Sequence, residues 1–246
     1  MNTFKDSCWL ALDEIKRTWI YLALGVVFYL YSVIMINIMS SYYDESKIGA
    51  ASSIFEGIFL NFFVLAIIQN LGFIMTRRYF HVGKKDSFTK QLAYLKLLPL
   101  STKVIVGSRM IQFLITLLIM TSFFFIAYYT LLKIGNNKIL MEIPYIPFAL
   151  FWMGYAMIAG SLNLYWELGV SGKAYLRNCI IMCFPYVAIS VGMWFWLENS
   201  FWLESIRWVQ GYGVLLSLSM VLVGVICLTI SSKLLQNKLD RRDLHG

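Results

Sequence analysis

Charge is scarce in this chain. Asp, Glu, Lys and Arg make up 14% of its 246 residues, against about a quarter in ordinary soluble domains. Too little charge is present to clothe a soluble globular fold. Histidine is scarcer still: His81 and His245 are the two, and they supply no credible metal cluster. Cysteine occurs four times, and Cys179 and Cys183 share a helix face. That pair reads as small apolar packing residues rather than as a metal or redox site. Catalytic patterns are missing as well, with no HExxH, no GxSxG and no paired Asp motif. The string GVSGK, Gly169 to Lys173, lacks the four-residue gap and the following Ser or Thr of a phosphate-binding loop. The chain is therefore expected to be no enzyme and to bind no cofactor of its own.

Apolar residues fill the space that charge leaves. They reach 59% of the sequence, with a mean hydropathy of +0.69. A membrane-crossing helix needs about 20 mostly apolar residues, because it must span roughly 30 Å of hydrocarbon at about 1.5 Å per residue. Six segments qualify, near 19–39, 55–75, 110–132, 147–167, 178–197 and 212–231. In lipid the backbone must satisfy its own hydrogen bonds, so helices are the economical assignment. The expected fold is an all-α integral membrane protein, one transmembrane domain covering 1–246. The first twenty residues carry Lys5, Asp6, Asp13, Glu14, Lys16 and Arg17. They read as retained sequence rather than as a cleaved signal peptide.

Lys and Arg set the orientation. With both termini in the cytoplasm, all of the 21 cations fall on inner segments except Lys47, Lys133, Lys138 and Arg207. That asymmetry accounts for the sequence pI of about 9.3 without nucleic acid. A multi-pass protein of a plasma membrane is expected.

Three segments are ordered in pattern yet too polar to span. At the N-terminus, Phe4, Cys8, Leu12, Ile15 and Trp19 recur at helical spacing, which predicts an amphipathic helix lying in the inner interface. The second lies in the long inner loop between Thr76 and Arg109. Asp86 or Ser87 can cap a helix there; Phe88, Leu92 and Leu95 share its face, and Pro99 ends it. Ser101 or Thr102 then caps the helix of the third span. This loop helix reads either as a membrane-lying connector or as a docking helix for a soluble protein. The third segment, Asn199 to Gly211, lies outside between spans five and six. Trp202, Ile206 and Trp208 make it either an interfacial aromatic anchor or an outer gate.

Within the spans, ionisable groups are few; Glu56 and Glu167 sit at span ends. A proton relay has no visible basis. Uncharged polar residues do occur. Asn37, Asn61, Gln69 and Ser190, with Pro185 as a possible kink, read either as interhelical hydrogen-bonding groups or as the lining of a mildly polar path.

This arrangement resembles the ABC-2 type transporter permeases, the membrane subunits of type V ABC exporters. The resemblance rests on topology over the whole chain and on the string LLPLSTKVIVGSRMIQ, Leu97 to Gln112, which is similar to that family's lead-in to the third span. It implies a two-fold permease, as a homodimer or with a sister permease, carrying cytoplasmic ATPase subunits that hold ATP and Mg. It implies that the inner-loop helix, Phe88 to Leu98, is the coupling helix, with Phe88, Gln91, Leu92, Leu95 and Lys96 docking the ATPase. It further implies a substrate path lined largely by spans one, two and five, and export of an amphipathic or hydrophobic substrate such as a peptide, toxin or antibiotic. Some peptide-toxin exporters of Gram-positive bacteria look similar in size. Two other readings stay open: a membrane immunity factor that binds a toxin without a motor, and a secondary carrier.

Overall fold

The computed structural model describes residues 3–45, 50–80, 82, 86–135, 144–197 and 199–241. Lys47, Lys84, Lys85, Lys138 and Arg242, counted above for orientation, lie outside the described residues, as does His81. Nine helices of four residues or more are assigned among them: α1 Thr3–Arg17, α2 Trp19–Glu45, α3 Ala50–Ile68, α4 Arg77–Phe80, α5 Ser87–Leu97, α6 Thr102–Ile134, α7 Tyr145–Gly169, α8 Gly172–Leu197 and α9 Phe201–Asp240. The described residues contain no strand. Five helices, α2, α6, α7, α8 and α9, are long and apolar enough to cross a membrane.

The α7–α9 pair is the most extensive helix contact, and small residues cause it. A Cβ on Gly154 would lie 2.5 Å from the Met220 carbonyl carbon, and one on Gly224 would lie 2.7 Å from the Met157 Cβ. Backbones this close exclude larger side chains, the usual device for packing helices in lipid. Ser231 Oγ donates to the Ser161 carbonyl at 2.8 Å across the same seam. Helices α6 and α7 are half buried along their apolar windows, whereas α2, α8 and α9 face mostly outward. The core therefore runs along α6 and α7, with the other spans around them.

The second expected span departs from its prediction. Its helix stops at Ile68 rather than running to 75, and residues 69–76 form turns and irregular backbone. Irregular backbone at membrane depth must be sheltered by protein, and here two neighbouring hydroxyls add a second donor to carbonyls that already accept from the Phe73 and Gln69 N–H groups. Tyr29 Oη donates to the Asn70 carbonyl at 2.6 Å, and Tyr155 Oη donates to the Leu65 carbonyl at 3.1 Å. Gly72 sits at the break because the Phe113 ring occupies the place of a Cβ. The same ring fills the corresponding place at Gly160, so one aromatic side chain wedges α3 and α7 together.

The expected outer segment and sixth span form one element, α9, broken at Gly213, where φ is 60° and ψ −142°. Before the break the helix turns into the bundle. Trp202 is completely buried, with ring centroids 5.2 Å from Tyr128, 5.0 Å from Phe148 and 5.1 Å from Trp152.

The Phe113 wedge makes a direct prediction. Gly72→Ala should lower the thermal midpoint of the purified protein in detergent, as overpacking a filled site costs about 1–3 kcal/mol. Adding Phe113→Leu should recover part of that loss. A midpoint unmoved by Gly72→Ala would show that the ring has room to shift.

Candidate functional site

The short helix α5 organises one end of the bundle. Asp86 is its N-cap, with a left-handed φ of 43°, and its carboxylate accepts from the Thr89 N–H at 3.4 Å. The same oxygen accepts from the Gly172 N–H at 2.7 Å, which ties the start of α5 to the start of α8. Phe88 packs edge-on to Tyr79 and Tyr175, with ring centroids 5.1 and 5.2 Å away. Leu92 enters an apolar cluster with Ile105, Val106, Leu168, Leu235 and Leu239, and Leu95 packs at its edge. Lys96 Nζ donates to the Leu239 carbonyl at 2.8 Å. Beyond Pro99, Ser101 caps α6 and accepts from the Val104 N–H at 3.4 Å.

This geometry corrects the expected docking face. Phe88 and Leu92 are only 2% and 1% exposed, because their own chain covers them. Gln91, Leu95 and Lys96 are likewise engaged by the bundle. Helical spacing puts Lys90, Tyr94 and Leu97 on the opposite side, and these are exposed, Leu97 to 81%. The helix is thus apolar on two faces, one turned to the bundle and one left open.

Beneath α5 lies a buried charged cluster. The Arg109 guanidinium of α6 pairs with Glu167 of α7 and lies 3.3 Å from a Glu14 carboxylate oxygen of α1. Arg109 also donates to Gln112 one turn along. Gln91 Nε2 of α5 donates to Glu14 at 3.1 Å. Arg109 and Glu167 are 12% and 2% exposed at their side chains. Tyr79 of α4 stands against Glu167; burial, reinforced by that carboxylate, pushes its phenol well above the ordinary range, so it stays a neutral hydroxyl. Beside the cluster is a cavity of about 20 Å³ lined by Gly72, Thr76, Tyr79 and Thr116. It is large enough for one water, and two polar atoms without a protein partner are found here, Arg109 Nε and Thr116 Oγ1. Five helices, α1, α4, α5, α6 and α7, and the irregular backbone after α3 meet at this point.

Sequence reading missed this cluster. Glu14, Arg109 and Glu167 are far apart in the chain, and each looks like an ordinary charge at the end of a span. The available signal was Glu167 itself: a carboxylate at the end of an apolar run needs a partner, and Arg109 closes the inner loop at the matching depth.

The other candidate residues are placed elsewhere. Asn61 of α3 is buried, and its Oδ1 accepts from Ser200 Oγ at 3.2 Å and from the Phe201 N–H at 2.7 Å. It serves as a cap for α9. Gln69 accepts from the Tyr186 hydroxyl of α8. Ser190 Oγ donates to the Tyr186 carbonyl at 2.7 Å and is buried. Asn37 is half-buried, and Pro185 is exposed on α8. Asn61, Gln69 and Ser190 thus act as ties within or between helices. Of the gate candidates, Trp202 and Ile206 are core residues, and Trp208 is half-buried against Phe201. Trp202 is buried inside the bundle, where its indole N–H donates to Tyr128 Oη at 2.9 Å.

Comparison of the chain with protein-family models, curated proteins and solved structures gave no match.

Removing one partner of a buried pair leaves the other charge stranded, at a cost of about 3–5 kcal/mol. Arg109→Gln or Glu167→Gln should therefore strongly lower thermal stability in detergent, and Glu14→Gln, at the more exposed position, should do so less. The pair replacement Arg109→Met with Glu167→Leu should be milder than either single change. Equal and small losses across the set would mean that the charges are solvated and independent.

Proposed function

We propose that the chain is the permease subunit of an ATP-driven exporter, with six spans and both termini in the cytoplasm. The long apolar helices support a membrane location, and the cation distribution supports the orientation. The sixth crossing is α3: Ile54–Ile68 contributes about 22 Å of helix, and the irregular residues after it complete the passage. ATP and Mg belong to a separate cytoplasmic ATPase, because the sequence carries no phosphate-binding loop. The permease works as a pair, with a second copy or a related chain. Its cargo is amphipathic or hydrophobic, as the weakly polar spans suit a peptide, toxin or antibiotic better than a compact ion.

The observation that carries this reading is α5. It lies outside the spans, is fastened to α1, α6, α8 and α9 through one face, and leaves Lys90, Tyr94 and Leu97 open on the other. An exposed aromatic and leucine pair beside a cation is a suitable anchor for a soluble partner. A push on that face reaches α1 through Gln91 and Glu14, and from there Arg109 of α6 and Glu167 of α7.

The docking face is tested by Tyr94→Glu with Leu97→Glu. Loss of one anchor cluster worth about 2 kcal/mol or more weakens binding by over about tenfold. Co-purification of an ATPase from native membranes should fall accordingly while the protein still inserts. Leu92→Asp should act differently, by destabilising the permease itself. Export that continues in cells depleted of ATP would overturn the reading.

A further inference from the structure

On the half of the bundle away from α5, a crevice of about 480 Å³ lies between α6 and α7. It runs from Leu118 and Met153 to Tyr129 and Tyr145, with Ala149 in its wall. Leu118 is 56% exposed, so the crevice opens sideways to the surroundings of the bundle. Leu118 and Tyr129 are eleven residues apart, which is about 16 Å along a helix. That is close to half of a hydrocarbon core of roughly 30 Å. The crevice therefore has the depth of one leaflet.

Its outer end has a different chemistry. The Tyr129 and Tyr145 rings meet edge to face with centroids 4.2 Å apart, the aromatic pairing expected at a membrane–water boundary. Lys133 lies one turn further along, with Nζ 4.4 Å over the Tyr129 ring. A lysine there holds its stem along apolar surface and its ammonium in the headgroup layer. Carbon walls for one leaflet, an aromatic rim and a cation beyond it match the parts of one lipid in order.

We propose that this crevice binds one acyl chain of an anionic phospholipid from that leaflet, with the headgroup phosphate held by Lys133. The site is independent of the exporter reading, since it needs only that α6 and α7 cross a bilayer. A zwitterionic lipid of the same tails offers the same apolar contact but no net charge to the ammonium. One lysine near a membrane surface favours an anionic headgroup by about fivefold.

The test is native mass spectrometry of the full chain in mild detergent, titrated with phosphatidylglycerol and with phosphatidylcholine of identical acyl chains. The expected result is one retained phosphatidylglycerol, favoured about fivefold over phosphatidylcholine. Lys133→Gln, at an exposed position, should abolish the preference but keep an adduct. Ala149→Phe should fill the crevice and lose the adduct of both lipids, with gel filtration reporting that the protein remains folded. Equal retention of the two lipids by the unaltered chain would overturn the proposal. So would a preference that survives Lys133→Gln, or an adduct that survives Ala149→Phe in folded protein.

Discussion

One buried guanidinium governs the α5 end of this molecule. Taking Arg109 out of water has a large desolvation cost, and only close carboxylates and hydrogen bonds offset it. Glu167 supplies one carboxylate from α7 and Glu14 another from α1. An amphipathic helix, a central span and a second central span must therefore arrive together. Helix α5 joins the same arrangement through Gln91. Ion pairs of this kind rarely add net stability over well-packed carbon. What this one supplies is register: a shift of α1 or α7 by one turn would strand a charge in a low-dielectric interior.

The opposite end is built on another principle. There Trp202, Trp152, Phe148 and Tyr128 interlock at ring distances of 5.0 to 6.5 Å, and a buried amide beside them, Asn61, caps the start of α9. Packing of this sort is dense and has few alternative arrangements. Hydrogen-bonded charges can exchange partners; interlocked rings cannot without opening. Between the two ends, the Gly154–Gly224 seam fixes α7 against α9. That contact is the most extensive between helices, so α9 joins the half-buried α6 and α7 as a frame although its own apolar window, like those of α2 and α8, faces mostly outward.

Much of this was legible in the residues. The Asp86 and Ser101 caps, the stop at Pro99 and the long apolar runs are local signals, and the structure places helices where they point. Long-range pairing was not legible. At the end of α3, Tyr29 and Tyr155 reach carbonyls from two other helices, and no local pattern around Gln69 carries that information. The amphipathic faces were visible, but not what each one meets. On α1 the apolar residues Phe4 and Leu12 are exposed, while Ser7, Ala11 and Glu14 pack inward. On α5 the apolar Phe88 and Leu92 pack inward instead.

On the proposed topology, with α1 against acyl chains and α5 in water, that inversion follows from which solvent each helix sees. A helix beside acyl chains loses nothing by turning carbon outward, so its small and polar groups are free to seek the protein, where Ser7 finds the Val104 carbonyl and Glu14 finds Arg109. A helix beyond the hydrocarbon faces water, and the hydrophobic effect turns its carbon toward the bundle. Helix α5 follows the aqueous rule with Phe88 and Leu92 but breaks it with Tyr94 and Leu97, which remain uncovered. On the proposed reading a protein partner covers them. The inward face then matters as much as the outward one, because a helix passes on displacement only if it is fastened. Asp86 to Gly172, Gln91 to Glu14 and Lys96 to Leu239 fasten it at its start, middle and end. On that reading, a lever held at three points carries force into the bundle whatever the cargo, with the coupling in α5 and the selectivity in the spans.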